Sequence, residues 1–390
     1  MLRIKDILSM DFAKEFRILA GETGLENAVW NVGINDYESL EDIPKVFGRG
    51  DLLLTSLALY KHESDNISAY LKAFIDAGVS AIAIKTAFEK DIPEDILAYS
   101  NQKKIPFIAT PNELFTEDLV VELKQTIKED EAHSRFEMRM ENVLSGEADS
   151  DEEELLLKEI FPDNENEDEK IVYYFKNADS SQDIEVNYRR ILYKLEELLP
   201  HLRIKGAQYA NGLFIFAVRN YLGEDVKTIL KQHGFPLKKY VAGVYTYTGN
   251  PGITLREILQ NSVSAAYVCL CEDKVQINYE DIGIYKYILP FDAKSRLYRE
   301  YANRFEKIIA YDRENETNFI DTILCYVKNQ GEIRKTAEEM HQHINTIRYR
   351  LRRIHEFLDY DEKNYNEFYV DIVLMSKIYK LISKTDVPFV

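Results

Sequence analysis

The sequence lacks the features that would direct a protein out of the cell or into a membrane. Its 390 residues hold three cysteines, Cys269, Cys271 and Cys325, which form no disulfide framework and suit a reducing compartment. No apolar run approaches the roughly 20 residues needed to span a bilayer. The first residues carry acidic side chains and no apolar signal core. A cytoplasmic protein with no membrane association is therefore predicted.

The common catalytic motifs are also missing. The sequence contains no phosphate-binding G-x-x-x-x-G-K-[ST], no G-x-S-x-G and no G-x-G-x-x-G. His341 and His343 with His355 suggest a metal only weakly, since no Cys or carboxylate completes a site. Cys269 and Cys271 lack a second pair and are expected to be buried free thiols. We therefore predict a protein that is not an enzyme and uses no cofactor or metal.

Basic residues are too few to balance the acids, and the net charge is −18. Much of this excess lies in residues 147–169, where twelve acids and one base give −11 and leave −7 for the rest of the chain. Nucleic-acid binding depends on one locally basic face, because charges are screened within roughly 8 Å at physiological salt. The overall charge does not exclude a DNA partner.

A chain of this length exceeds one ordinary hydrophobic core, and 45% hydrophobic residues suffice for several globular domains. Residues 1–125 alternate apolar strands at 51–55, 79–84 and 105–109 with helical segments at 67–77 and 93–101. Nearly continuous apolar strands joined by helices predict a parallel sheet covered by helices. An N-terminal α/β domain is expected.

Residues 126–169 are predicted to hold the rest of a long helix and an acidic linker. The helix covers 114–144, ends at Ser145 and Gly146, and aligns Leu119, Leu123 and Ile127 on one face. That face could pack either against a second chain or against the protein's own N-terminal domain. The acidic residues after it fit either a flexible linker or a solvated helix.

Residues 170–290 predict an α+β domain, and residues 291–390 an all-helical one. Strands are expected at 171–175, 213–218 and 240–244, and helices at 188–199 and 255–270. The second helix begins with a capping box formed by Thr254 and Glu257. No strand pattern follows residue 290.

A helix-turn-helix is predicted at residues 319–358. Its first helix presents an apolar face starting at Phe319, with Asn318 as the cap and Gly331 as the stop. A short helix covers 333–340, with small Ala337 where a partner helix could cross. The chain breaks at His341, a residue type that tolerates positive φ. The third helix then aligns four apolar residues on one stripe: Ile347, Leu351, Ile354 and Leu358.

The face opposite that stripe has the chemistry of a DNA-reading surface. Asparagine reads adenine and arginine reads guanine in the major groove, while Thr and Tyr hydroxyls suit phosphates. The third helix would lie in the groove. The alternative is an ordinary helical hairpin with a solvated cationic face. The predicted DNA-binding residues are Asn345, Thr346, Arg348, Tyr349, Arg352 and Arg353. Arg350, on one flank, also suits an intramolecular contact.

These residues resemble a known family. Residues 336–340 (TAEEM) and 343–351 (HINTIRYRL) are similar to the C-terminal signature T-A-x-x-L-x-x-H-x-N-T-L-x-Y-R-L of the purine catabolism regulator (PucR) family, which CdaR-like regulators share. Met340 departs from the signature's Leu, and Gln342 stands where an apolar residue is frequent. Segments 5–8, 20–25, 29–32, 50–55, 78–85 and 105–106 resemble the family's N-terminal sensor domain.

The resemblance implies a GGDEF-like central domain, carried by residues 243–244, 255–259 and 279–283. If the central hairpin is residues 211–214, Leu213 and Phe214 replace the acidic pair that a cyclase needs to hold Mg²⁺. The domain is therefore expected to be degenerate. The fold expected for the chain is multidomain: an α/β sensor, a degenerate GGDEF-like α+β middle and an all-α helix-turn-helix.

The predicted function is that of a bacterial DNA-binding transcription regulator that responds to a small metabolite, which the resemblance places in purine or nitrogen breakdown. One alternative is a small-molecule-binding or nucleotide-processing enzyme whose helical end only dimerises. Another is an interaction scaffold that works through residues 114–144. Since helix-turn-helix proteins commonly occupy two half-sites, a homodimer is expected.

A metabolite pocket is predicted where the strands of the first domain end, because ligands bind beyond the carboxyl ends of parallel strands. Three strands end there in hydroxyl or ammonium groups, which suit a polar or anionic ligand. The alternative is that these Thr and Ser side chains only cap the next helices. The predicted ligand-binding residues are Thr55, Ser56, Lys85, Thr86 and Thr110.

Overall fold

The computed structural model describes residues 1–35, 38–55, 67–161, 169–179, 188, 191–192, 204–219, 226–247, 252–290, 295–360 and 365–384. The chain divides into two compact units, Met1–Met138 and Arg139–Val390. Within the described residues, no helix combines the length and the apolar character that crossing a bilayer requires.

The first unit is an α/β domain, as predicted. Its strands lie in the order β1-β5-β4-β3-β2, with β2 to β5 parallel and β1 antiparallel to β5. The predicted strands correspond to β3, β4 and β5, whereas β1 and β2, which are short edge strands, were not predicted. The elements are α1 (Ile4–Leu8), β1 (Arg17–Ala20), β2 (Asn31–Ile34), α2 (Ile43–Val46), β3 (Asp51–Thr55), α3 (Ile67–Ala77), β4 (Ala81–Lys85), α4 (Glu94–Lys103), β5 (Phe107–Thr110) and α5 (Thr116–Ser145).

Helices cover both faces of this sheet, which explains its nearly continuous apolar strands. On one face Leu53 and Ile82 pack with the helices α2, α3 and α4. On the other face the core includes Leu119, Leu123 and Ile127 of α5, which are 5%, 1% and 7% exposed. These three side chains are thus buried in their own domain and offer no stripe to a second chain.

The second unit begins with a mixed sheet in the order β10-β9-β6-β8-β7. The predicted strands at 171–175, 213–218 and 240–244 are confirmed as parts of β6, β8 and β9. The capping box of Thr254 and Glu257 is also confirmed. The predicted helix 188–199 lies largely outside the described residues. The elements are α6 (Ser150–Ile160), β6 (Glu169–Asn177), β7 (Lys205–Tyr209), β8 (Gly212–Arg219), α7 (Val226–Gln232), β9 (Tyr240–Tyr247), α8 (Leu255–Cys271), β10 (Gln276–Asn278) and α9 (Tyr285–Ile288).

The first half of the acidic stretch is a packed helix. Leu156 and Ile160 of α6 are buried, and Arg139 pairs with Glu159 at 2.6 Å. α6 therefore has an apolar side that is packed within the unit. Residues 162–168 of the stretch lie outside the described residues.

Cys269 and Cys271 in α8 are buried free thiols, as expected. Burial raises the pKa of Cys269 to about 11 and that of Cys271 to about 12. Both side chains therefore stay protonated at neutral pH and act as small apolar groups.

In the C-terminal part of the second unit, the described residues 295–360 and 365–384 form helices joined by short turns and contain no strand. Its core contains at least one buried side chain from each of its four longer helices. These side chains are Phe305, Ile323, Ile354, Ile372 and Met375. The elements are α10 (Arg296–Asn315), α11 (Phe319–Lys328), α12 (Ile333–Glu339), α13 (Ile344–Phe357) and α14 (Tyr365–Lys384).

Candidate nucleic-acid interface

The cap of α11 differs from the prediction. Asn318 occupies the cap position, but its side chain accepts no capping hydrogen bond. Instead Asp312 of α10 accepts the backbone N–H groups of Phe319 and Ile320, each at 2.9 Å. A carboxylate from the preceding helix satisfies the first N–H groups of α11 and fixes the angle at which it leaves α10.

The turn between α12 and α13 is built on a left-handed residue. His341 has φ +50°, the conformation that the sequence analysis considered feasible for histidine. The Gln342 N–H donates to the Ala337 carbonyl at 2.9 Å, and the His341 N–H donates to the Glu338 carbonyl at 3.2 Å. This pair of bonds is a Schellman motif, which ends α12 sharply and turns the chain into α13.

His343 begins α13 as its N-cap. Its Nδ1 accepts the backbone N–H of Asn345 at 3.2 Å. The sequence indicates the start of the helix here but not this capping role, because histidine is not among the usual capping residues.

The apolar stripe predicted for α13 is buried at three of its four residues, and the fourth, Leu358, is half-buried at the C-cap. Ile347, Leu351 and Ile354 are buried, and Ala337 of α12 lies in the same small core as Ile347 and Leu351. The small side chain of Ala337 lets the two helices cross closely. Because this stripe faces inward, the opposite face of α13 is presented to solvent.

Most of the predicted DNA-binding residues lie on that exposed face. Thr346 is half-buried, and Tyr349 is 55% exposed. Arg350 is half-buried and donates to Thr322 Oγ1 of α11 at 3.4 Å, so it serves the intramolecular contact that its flank position allowed. The exposed predicted residues are Asn345, Arg348, Tyr349, Arg352 and Arg353.

Glu356 partly neutralises the C-terminal end of this face. Its carboxylate lies 2.6 Å from Arg353 and 3.8 Å from Arg352 Nε. The Arg352 guanidinium also lies over the Tyr349 ring, 5.9 Å from its centroid. Hydrogen bonds with Tyr311 and Glu356 raise the pKa of Arg353 above its ordinary value. Arg353 is therefore always charged but held by its own chain.

A cleft of about 770 Å³ opens along one flank of α13. Asn345, Arg348, Tyr349 and Arg352 line it, whereas Thr346 and Arg353 do not. The lining also includes residues that the sequence analysis missed, because they come from the turn after α11 and from the start of α14. These are Gln330, Tyr365, Asn366 and Tyr369. We call this space the α13–α14 cleft.

The structure brings the described residues of the predicted metabolite site to one edge of the first sheet. Lys85 is the register partner of Thr110, and Thr55 that of Ile84. Thr86 begins a short 3-10 helix directly after β4. Ser56 lies outside the described residues.

Lys85 and Thr110 illustrate the partners that side chains of this set have in their own domain. The Lys85 ammonium donates to the backbone carbonyls of Asn112 and Leu114, at 3.2 and 2.9 Å. Thr110 Oγ1 donates to the Ile84 carbonyl at 3.1 Å. Lys85 therefore anchors the loop that follows β5, and one of its three donors remains for a ligand.

Across the described part of the chain, no group of three or more His, Cys, Asp or Glu side chains is arranged to hold a metal ion. His355, one of the three histidines considered in the sequence, is 3% exposed. It packs against the rings of Tyr360, Tyr365 and Phe368, with centroids 5.0 to 5.6 Å away.

Two segments match known families. Residues 6–127 match the purine catabolism regulatory protein-like family, and residues 319–372 match the PucR C-terminal helix-turn-helix domain. The second match covers α11, α12, α13 and the start of α14, so it contains both walls of the cleft.

Two proteins of Bacillus subtilis (strain 168) are similar to parts of the chain. The DNA-binding transcriptional activator AdeR is 28% identical over 106 residues, which are 26% of this chain and 25% of AdeR. The proline-responsive transcriptional activator PutR is 27% identical over 154 residues, 37% of each protein. The matches thus span 25% and 37% of the lengths of these relatives.

Among solved structures, a regulator of polyketide synthase expression from Bifidobacterium adolescentis aligns with 64% of this chain and 98% of its own. The identity is 12% and the TM-score is 0.28.

Proposed function

Because this chain belongs to the PucR family, we propose that it is a sequence-specific DNA-binding transcription regulator whose recognition helix is α13. One observation carries the proposal: the buried stripe of α13 leaves a face of amide, hydroxyl and guanidinium groups exposed at the end of a tight turn. This arrangement is typical of a helix that enters the major groove.

The residues of this face divide into readers and positioning groups. Asn345 and Arg352 have the donor patterns that distinguish adenine and guanine. Thr346 and Tyr349 carry hydroxyls suited to phosphates. Arg353 is paired with Glu356, so it can contact DNA only if this ion pair breaks. A regulator acting on chromosomal DNA works in the cytoplasm, and we place this protein there.

A binding experiment tests the proposal. The full chain should shift DNA from the region upstream of its own operon in an electrophoretic assay, with competitor DNA present. Asn345→Ala and Arg352→Ala should each weaken that complex by roughly 1–3 kcal/mol, the usual cost of losing a base contact. Arg299→Ala, which removes an exposed arginine from α10, is the matched control and should bind normally. Unchanged affinity in both α13 variants would remove α13 as the recognition helix.

We also propose that the central sheet is a degenerate GGDEF-like domain without catalytic activity. Support comes from the hairpin of β7 and β8, where Leu213 and Phe214 are fully buried. Apolar buried side chains at these positions supply no oxygen ligand for Mg²⁺. The proposed domain boundaries remain 1–125, 126–169, 170–290 and 291–390. Turnover of a nucleoside triphosphate with Mg²⁺ would favour the enzyme alternative instead.

The effector is proposed to be a small polar or anionic metabolite bound at Thr55, Ser56, Lys85, Thr86 and Thr110. The names of the family and of PutR, purine catabolism and proline response, support nitrogen-containing compounds. A thermal-shift screen of such metabolites on the full chain tests this, because a ligand of the folded state raises the melting temperature. If Lys85→Ala binds the screened ligand as wild type does, the site lies elsewhere.

A further inference from the structure

The α13–α14 cleft has two polar walls that belong to different helices. Arg348 and Arg352 line it from α13. Tyr365 and Asn366, from the first turn of α14, line it on the other side. The space between the walls, about 770 Å³, is large enough to hold part of a ligand. It opens beside the face of α13 that is proposed to read DNA.

The described side chains that line this cleft carry net positive charge. Two of them are arginines, and none of the described lining residues is Asp or Glu. Glu356, the acid close to Arg352, makes its shorter contact with Arg353, which does not line the cleft. Arg348 forms no ion pair or side-chain hydrogen bond within the part of the chain that the structure describes. An anion in the cleft would therefore meet one guanidinium, that of Arg348, without a partner among the described residues, and neutral donors beside it.

The position of Arg348 on the helix separates it from the base-reading face. At 100° per residue, Arg348 lies 60° from Asn345 toward the buried Leu351, whereas Tyr349 and Arg353 lie on the opposite side of Asn345. When the centre of the exposed face of α13 enters the major groove, a side chain on this flank lies next to the wall of the groove. Groove walls in DNA are formed by the phosphate backbone.

We propose that the α13–α14 cleft holds a backbone phosphate of the bound DNA, contacted by Arg348 from α13 and by Asn366 from α14. This inference rests on the proposed function and adds α14 to the DNA-binding surface. Phosphate contacts carry no sequence information directly but fix the register of the protein on the duplex. Arg348 is thereby a positioning contact, and Asn345 and Arg352 remain the readers.

The test measures the affinity of the full chain for two fluorescent duplexes by anisotropy over a series of salt concentrations. One duplex carries the site that the wild-type chain selects from a random pool, and the other is a scrambled version. Arg348→Ala should weaken both complexes by about the same factor, near tenfold, and reduce the salt slope by about 1. Asn366→Asp, which places a carboxylate against the phosphate, should weaken both at least about tenfold.

Asn303→Asp is the matched control, because Asn303 is an exposed helical asparagine of α10 that does not line the cleft. Melting temperatures of all variants verify folding. Wild-type affinity of Asn366→Asp would overturn the inference, and so would a loss confined to the selected duplex in Arg348→Ala. Failure of the wild-type chain to bind either duplex would instead defeat the proposed function.

A small anion is the competing occupant. Isothermal titration of the full chain with inorganic phosphate separates the two cases. Binding of free phosphate that Asn366→Asp abolishes, with duplex affinity unchanged, would overturn the DNA assignment in favour of a metabolite site.

Discussion

At the scale of single residues, Glu356 controls how much positive charge α13 offers to DNA. Its carboxylate is shared between Arg353 and, at a longer distance, Arg352. All three side chains are exposed, and exposed ion pairs contribute only about 0–1 kcal/mol. Phosphates can therefore replace Glu356 as the partner of these arginines at little cost.

Glu356→Gln should consequently tighten binding to any duplex. Removing one negative charge near the phosphates is worth up to about 1 kcal/mol in water, which corresponds to about a fivefold lower Kd at low salt. Anisotropy with a scrambled duplex measures this, and the gain should fade as salt is raised. Glu314→Gln on α10 is the control for a general charge effect. A loss of affinity confined to the selected site would show instead that Glu356 contacts a base.

His341 is one of two non-glycine residues in the described helix-turn-helix with a strained positive φ, and Gln330 (φ +52°) is the other. The φ of +50° at His341 is unfavourable for a residue with a side chain, and glycine adopts it freely. His341→Gly should raise the free energy of unfolding by up to about 1 kcal/mol, since the relief of strain is partly offset by the flexibility of glycine in the unfolded chain. Thermal melts measure the gain, and His341→Ala, which keeps the strain, should lack it. A lower melting temperature for His341→Gly would mean that the imidazole itself stabilises the turn.

At the scale of elements, α14 connects the cleft with the central sheet domain. Tyr365 and Asn366 line the cleft at one end of this helix. Toward the other end, Lys377 and Lys380 donate to Glu272, which follows α8, at 2.6 and 2.8 Å. The helix thus reaches from the cleft to Glu272, where its two lysines bind a carboxylate of the central sheet domain.

The Glu272 cluster should make the stability of this unit depend on pH. Burial raises the pKa of Glu272, but hydrogen bonds from Lys377, Lys380 and Tyr285 outweigh it and lower the pKa to about 2, from an ordinary 4.5. Because the folded pKa is the lower one, the stabilisation is complete above pH 4.5 and is lost as pH falls toward 2. It amounts to at most about 3 kcal/mol.

Denaturant unfolding of wild type and Glu272→Gln at several pH values tests this dependence. The variant should be less stable at pH 7, and the difference should shrink between pH 4.5 and pH 3. A difference that stays constant over this range would show that the carboxylate charge does not hold α14.

Some helices and strands could be predicted from the sequence, and others could not. The stripe of α13 follows from helical periodicity, and the strands β3, β4 and β5 follow from their apolar runs, because both patterns are local. The Asp312 cap was missed because Asp312 lies seven residues before Phe319 and not at the usual cap position. The cleft could not be predicted because it joins residues from Tyr326 to Tyr369, which are distant in sequence. The edge strands β1, β2, β7 and β10 were missed because they are short and partly exposed, so they lack the continuous apolar run of β5.

At the scale of the whole molecule, we expect a homodimer on DNA, because one recognition helix makes a small interface and two half-sites compensate for it. Light scattering with a palindromic duplex should give a protein mass twice the 45.5 kDa of one chain. A protein mass of one chain, with and without DNA, would contradict it.

The dimer contact should not involve Leu119, Leu123 and Ile127, which are buried in the first unit. Leu123→Ala should therefore lower the melting temperature through a loss of roughly 2–5 kcal/mol. It should leave the mass on DNA unchanged, and a shift to the mass of one chain in a folded variant would show that α5 forms the interface.

The most direct test of the account is whether the exposed face of α13 touches DNA. A photoreactive benzoylphenylalanine at position 349 replaces a tyrosine that is 55% exposed in the centre of this face, and the same replacement at Tyr287 of α9, 75% exposed, serves as the control. Irradiation with the selected duplex should give a covalent protein–DNA product at position 349 and none at position 287. Equal cross-linking at both positions, or none at 349 in a chain that still binds the duplex, would contradict the assignment of α13 as the recognition helix.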